Sequence, residues 1–213
     1  MIFADRKDAG RRLAAALLHH RGKDVIVYAL PRGGVPVAAE IAQALDAPLD
    51  LLLVRKIGCP QQPELAMGAI VDGGAPIVVR NPDVIAMSGT DEATFAAVCR
   101  RELAEIERRR RVYLRDRPPY DPAGKTAIVV DDGIATGATM RAALDATRRR
   151  KPETLVLAVP VASPETLASL AAGVDEIVCL ERRADLAAVG YAYRDFRQLD
   201  DADVLDILKS FRD

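Results

Sequence analysis

The chain has 213 residues, half of them hydrophobic, which is enough for a compact fold with a sizeable core. Its 30 Lys and Arg nearly balance 31 Asp and Glu, giving a net charge of -1 and a pI near 6.2, so no broad nucleic-acid-binding surface is expected. Three separated cysteines without CxxC spacing, and only two histidines, adjacent at His19 and His20, argue against a disulfide framework, a zinc site or a histidine triad.

Residues 5–20 read as a helix, with Asp5 as its cap and Ala9, Leu13 and Leu17 on one face. "DVIVYAL" (24–30) reads as a buried strand, "PRGG" as a turn, and 35–45 as a helix with Val37, Ile41 and Leu45 in line. "LDLLLV" (49–54) is the next expected strand. Residues 55–67, rich in Pro, Gly and Gln, are expected to form a long loop, and such loops are often lids or binding loops. "GAIV" (68–71) and "PIVV" (76–79) suggest a hairpin around "DGGA".

Residues 90–115 read as one long helix with Phe95, Cys99, Leu103, Ile106 and Tyr113 as a rough apolar stripe. The arginines at 108–111 read as a solvated face paired with nearby glutamates at 102, 105 and 107. "RPPYDPAGK" ends that helix as a linker. From there the expected order is strand 126–131, helix 138–150, strand 154–160, helix 164–172 and strand 174–180, with Ser163-Pro164-Glu165 as a helix start. The tail holds "YAYRDF" and a short amphipathic helix with Val204, Leu205 and Leu208. Strand and helix alternate, so the fold class is α/β with a mainly parallel twisted sheet flanked by helices. No run approaches the roughly 20 apolar residues of a membrane span, and no apolar core of signal-peptide length opens the chain, so a soluble, cytoplasmic setting is expected.

Ligands of such sheets bind outside the carboxyl ends of the strands. Three unusual segments follow predicted strands directly. These are Arg32-Gly33-Gly34, then Arg55-Lys56, then Asp131-Asp132 with the turn "GIATGATM". Small residues running into a helix N-terminus let backbone N–H groups approach an anion, and Thr136 and Thr139 add hydroxyls. The turn is neither a Walker loop nor GxGxxG. Carboxylates beside a phosphate site repel its ligand unless something lies between. A ribose 5-phosphate resolves this: its phosphate takes the Thr/Gly turn, and its hydroxyls donate to the ionised aspartates.

"AIVVDDGIATGATM" resembles the signature of type I phosphoribosyltransferases. "ALPRGGVPVAAEIA" resembles that family's pyrophosphate loop, and "LLLVRKIGCPQQPELAMGAI" its mobile catalytic loop. The resemblance covers about residues 5–210. It is nearest to a bacterial subgroup of poorly defined acceptor specificity with "LPRGG", "VRK", "DDGIATGAT", "VPVAS" and a late "YRDF" (193–196).

The resemblance implies a single domain over 1–213, with its core at about 24–180. A small hood would be built from 181–213 and part of the N-terminus. It implies 5-phospho-α-D-ribosyl 1-pyrophosphate, Mg²⁺ and a nitrogenous base as reactants, with pyrophosphate released. Ala135, Thr136, Gly137, Ala138 and Thr139 would hold the 5-phosphate, and Asp131 and Asp132 the ribose hydroxyls. Arg32, Gly33 and Gly34 would receive the pyrophosphate, at a turn that in this family often carries a non-proline cis peptide. Arg55 and Lys56 would neutralise pyrophosphate as the loop closes. Mg²⁺ would be held mainly by pyrophosphate, hydroxyls and water rather than directly by the protein. The aspartates would also stabilise positive charge developing on the ribose ring.

Several roles stay open. Glu64, the acid of the loop, is either a general acid or base or a solvated side chain. Cys59 has no assigned role. Tyr191, Tyr193 and Phe196 are either core residues or a stacking platform for a base. Hypoxanthine and guanine enzymes of the family often carry an aspartate before the Thr-Gly pair. Ala135 stands there, and "VPVAS" offers few side-chain donors, so the acceptor base is unnamed. The alternative to an enzyme is a non-catalytic sensor that binds phosphoribosyl pyrophosphate or a nucleotide and regulates a partner. Neither nucleic acid nor membrane is expected as a partner, and a homodimer is compatible with the chain.

Overall fold

The computed structural model describes residues 3–63, 65–72, 76–115 and 117–211. The chain divides into two compact units: residues 1–51 with 120–213, and residues 52–119.

The first unit is built on a five-stranded parallel sheet. Its strands are β1 (Val25–Ala29), β2 (Leu49–Leu51), β6 (Thr126–Val130), β7 (Thr154–Ala162) and β8 (Glu176–Arg182), in the order β2-β1-β6-β7-β8. Every residue of β1 and β6 is buried, which is why both read as continuous apolar runs rather than alternating ones. Helices α1 (Arg6–Ala16), α2 (Gly34–Leu45), α5 (Ala138–Arg149), α6 (Pro164–Ala171) and α7 (Asp201–Lys209) complete the unit. α1 packs on α2, and α5 lies against β6 and β7. The crossover β1-α2-β2 runs outward in one direction, and β6-α5-β7-α6-β8 runs in the other. Right-handed crossovers then put α2 on one face of the sheet and α5 and α6 on the other. The order reverses between β1 and β6, so the carboxyl ends of those two strands flank the crevice where such folds take ligands.

The termini meet on this unit. Phe3 N–H donates to Ala192 O (2.8 Å), and Arg194 N–H donates back to Phe3 O (2.9 Å). Phe3, Ala9, Val161, Ala192 and Tyr193 form a small apolar cluster under this pairing, joined by Val189 and Phe196. Segments from both ends of the chain thus pack together.

The second unit is a three-stranded antiparallel sheet, β3 (Val54–Gly58), β4 (Ala66–Val71) and β5 (Ile77–Arg80), with helices α3 (Pro82–Ser88) and α4 (Glu92–Tyr113). The β4–β5 hairpin matches expectation, pairing Gly68 with Arg80 through Val71 with Ile77. Residues 73–75 of its turn lie outside the described residues. The expected loop 55–67 is a correction. Arg55-Lys56-Ile57 belong to β3, paired with Ile70, Ala69 and Gly68, and the prolines are confined to the connection at 59–65. The expected helix 90–115 starts at Glu92, and α3 before it was unforeseen. Its signals were present: Asn81 caps it, Pro82 opens it, and Gly89 closes it in the left-handed region at φ 63°. On α4 the buried residues are Phe95, Val98, Glu102, Ile106 and Tyr113, so Val98 and Glu102 take the inward positions given to Cys99 and Leu103. Among the described residues, no helix is long and apolar enough to cross a membrane.

Candidate functional site

Two turns meet at the reversal point of the parallel sheet. Leu30 N–H donates to Val130 O (2.9 Å), tying the turn after β1 to the end of β6. The Pro31–Arg32 peptide bond is cis. Gly33 and Gly34 are then pressed against the acidic pair. A Cβ on Gly33 would collide with the Asp132 carboxylate, and one on Gly34 would lie 2.7 Å from Val130 O and 3.0 Å from Asp131 Cα. A side chain at either position displaces the aspartates. Arg32 leaves this turn toward Asp201 at the start of α7 (3.9 Å) and stays substantially exposed.

The acidic pair is held from several sides. Asp131 accepts Asp132 N–H (2.8 Å). Asp132 accepts Arg6 Nε–H on Oδ2 (2.7 Å), and its main-chain oxygen accepts the Tyr193 hydroxyl (2.5 Å). Arg6 also donates to Arg197 O (3.0 Å), and its guanidinium lies 3.8 Å from the centre of the Phe196 ring. Burial pushes the Asp131 carboxyl well above the usual carboxylate range, and the neighbouring charge of Asp132 adds to it. Burial raises Asp132 too, while the Arg6 guanidinium pulls it back. The pair therefore lacks compensation: two acids share one adjacent cation.

The small-residue turn follows at once. Ile134 N–H donates to Val161 O (2.9 Å), and Ala135 O accepts the Thr166 hydroxyl (3.0 Å), so α6 braces the turn from behind. Gly137 caps α5 at φ 78°, a conformation other residues rarely adopt. No side chain caps this helix end, and Ala135, Thr136, Ala138 and Thr139 are exposed. The N–H groups of the first turn of α5 are thus available to an anion, with the helix dipole behind them. A half-buried acidic pair and an exposed anion cradle share one continuous turn.

Residues 55–64 belong to the second unit. Arg55 is not a bare cation: it donates to Glu102 from Nε (2.8 Å) and Nη2 (2.7 Å), and Arg101 approaches the other oxygen of Glu102 (3.0 Å). Lys56 is exposed, Cys59 is buried with a free thiol, and Glu64 lies outside the described residues. Of the glutamates expected beside the arginine run, Glu105 pairs with it, whereas Glu102 takes Arg55 and Arg101 instead. Glu105 bonds Arg108 and Arg109, which lower its pKa to about 2, and Arg110 reaches Asp72 (3.3 Å).

Tyr193 is a core residue. Its ring stacks on Phe196 (centroids 5.0 Å apart) and meets Phe3 (5.4 Å), and burial raises the pKa of its phenol. Phe196 carries Arg6 against its ring, and Tyr191 is exposed. The sequence reading missed Arg6, the Tyr193 hydroxyl and Thr166 as supports of the site. Arg6 lies 126 positions from Asp132 with no motif of its own, whereas the quoted "YRDF" did mark Tyr193.

The chain is similar to known proteins over nearly its whole length. The profile of the phosphoribosyl transferase domain family matches residues 2–195. Proteins from two strains of Mycobacterium tuberculosis, provisionally named phosphoribosyl transferases, are 47% identical over 207 residues. That match covers 97% of this chain and 46% of theirs, so the chain spans about half the length of the curated relatives it matches. The crystal structure of TT1426 from Thermus thermophilus superposes with a TM-score of 0.83 at 41% identity, over 99% of both chains. AQ2163 from Aquifex aeolicus, at 15% identity and a TM-score of 0.50 over 84% of this chain and 77% of its own, shares the fold alone.

Proposed function

We propose that this chain, which belongs to the phosphoribosyl transferase domain family, binds 5-phospho-α-D-ribosyl 1-pyrophosphate and transfers its phosphoribosyl group to a nitrogenous base. One observation carries the reading. A half-buried, under-compensated acidic pair and an open helix N-terminus lie on a single turn, at the point where the strand order reverses. A ligand with a diol and a phosphate a few ångströms apart satisfies both halves. The 5-phosphate would take the N–H groups and hydroxyls from Ala135 to Thr139, and the ribose hydroxyls would donate to Asp131 and Asp132. The pyrophosphate would lie along the backbone at Gly33 and Gly34, whose missing side chains let it come close.

In the reaction, the C1–oxygen bond breaks, pyrophosphate leaves with the bonding pair, and a base nitrogen attacks C1. Positive charge grows on the ribose ring in between. Asp131 and Asp132 would favour that charge more than the uncharged ground state, so their poor compensation in the free protein serves the reaction. The donor set suits Mg²⁺, because it is all oxygen and carries excess negative charge. Mg²⁺ would be carried mainly by pyrophosphate, hydroxyls and water, and would neutralise pyrophosphate charge. The role of Arg55 and Lys56 in that neutralisation rests on the family resemblance.

The test is to incubate the protein with phosphoribosyl pyrophosphate, Mg²⁺ and a panel of purine and pyrimidine bases, following pyrophosphate release. Base-dependent release supports the transferase. Tight binding without release from any base favours a sensor of the same ligand.

A further inference from the structure

We infer that His19, His20 and Glu176 form a binding site for a transition-metal ion of the Zn²⁺ class, at the end of the sheet opposite the phosphoribosyl turn. Neither the sequence reading nor the proposed transfer reaction uses these residues. His19 and His20 sit on a single helical turn that follows α1, and Glu176 opens β8. Among the described residues, this is the group of His, Cys, Asp and Glu whose ligand atoms converge, all lying within 4.8 Å of one another.

Both imidazoles aim Nε2 at the same carboxylate. His20 Nε2 lies 2.9 Å from Glu176 Oε2, and His19 Nε2 lies 3.0 Å from Oε1 and 3.4 Å from Oε2. Zinc bonds of about 2.1 Å in a tetrahedron separate neighbouring ligand atoms by about 3.4 Å. The two nitrogen–oxygen pairs already stand near that spacing and all three atoms lie within 4.8 Å, so side-chain rotations suffice to admit an ion.

The two rings lie 4.2 Å apart, centre to centre. One divalent ion supplies the positive charge once and engages all three groups. Two imidazole nitrogens and one carboxylate oxygen form a borderline donor set suited to Zn²⁺, whereas Mg²⁺ prefers oxygen ligands.

The surroundings also set the strength. His20 is buried, and its Nδ1 has no hydrogen-bond partner among the described residues. With Nε2 on a metal, the ring proton moves to that unsupported nitrogen. Lack of such outer support costs about 10–100-fold in affinity, which points to micromolar rather than nanomolar binding. The role is a clamp, since the ligands join the segment after α1 to the first residue of β8. Water would complete the coordination.

Zn²⁺ titrated into the metal-free full chain, followed by calorimetry and thermal unfolding, tests this. The expected result is one equivalent bound and a raised Tm that EDTA reverses. His19→Ala and Glu176→Gln should each weaken binding at least tenfold, and His19 is exposed enough for its variant to fold. Mg²⁺ at millimolar concentration should not compete. No binding by the wild-type chain overturns the proposal. Unchanged binding in either variant does so too, because it assigns the ion to the thiols or another surface.

Discussion

Arg6 and Asp132, 126 residues apart in sequence, are joined by a 2.7 Å bond from the guanidinium Nε to the carboxylate Oδ2. Both side chains are nearly buried, at 10% and 13% exposure. The N-terminal segment thereby holds one oxygen of the carboxylate proposed above to bind ribose. Tyr193 fixes the same residue through its main-chain oxygen.

Removing one partner of a nearly buried ion pair leaves the other charged and unpaired. Arg6→Gln is expected to destabilise the protein by about 3–5 kcal/mol. Adding Asp132→Asn should restore part of this, a coupling of about 0.5–3 kcal/mol seen in denaturant unfolding of the single and double variants. Arg6→Gln should also move the acid limb of ribose 5-phosphate binding to higher pH. Without the guanidinium, the main opposition to the upward pull of burial on Asp132 is gone.

Asp131 exchanges stability for binding. Its folded-state pKa is raised, so the folded chain holds the proton more tightly than the unfolded chain does. Its contribution is most favourable at low pH and is lost as pH rises through the folded-state value. Ionising the group thus costs the free protein stability. Asp131→Asn should therefore raise Tm at pH 7 to 8, by roughly 2–4 °C per kcal/mol relieved, while weakening ribose 5-phosphate binding. The gain in Tm should vanish below the ordinary carboxylate range.

Gly33→Ala tests the close approach of the two turns. The added methyl meets the Asp132 carboxylate, so the acidic pair must shift. Overpacking of this kind costs about 1–3 kcal/mol. Affinity for phosphoribosyl pyrophosphate should fall more than affinity for ribose 5-phosphate, because only the former places a pyrophosphate on this backbone.

Ala138→Asp tests the anion cradle with little risk to the fold, since Ala138 is exposed at the first position of α5. Acidic residues there favour the helix dipole, so Tm should hold or rise slightly. Ribose 5-phosphate affinity should drop at least tenfold through like-charge repulsion. Retained affinity, measured by calorimetry, places the phosphate elsewhere.

Local signals made most of the first unit readable in the sequence. Continuous apolar runs at 25–29 and 126–130 marked doubly covered strands, and Ser163-Pro164 marked the start of α6. The phosphate turn was legible because its residues are consecutive. What failed was long-range or averaged. The prolines at 60 and 63, with Gly58 beside them, obscured β3 and the first residues of β4, although their pairing is regular up to a bulge at Ile57 and Gly58. Arg6 was invisible because its partner lies beyond any sequence window. The meeting of the adjacent histidines with Glu176 was hidden for the same reason, since Glu176 becomes their neighbour only through the fold.

The central claim is that one ligand carrying both a diol and a phosphate spans Asp131-Asp132 and Thr136–Thr139. Calorimetric titration of phosphoribosyl pyrophosphate with Mg²⁺ into wild type and the Asp131→Asn/Asp132→Asn double variant tests it most directly. The account predicts saturable one-to-one binding by the wild type and at least a hundredfold loss in the double variant, with the fold intact by circular dichroism. Equal affinity in the two proteins would contradict it.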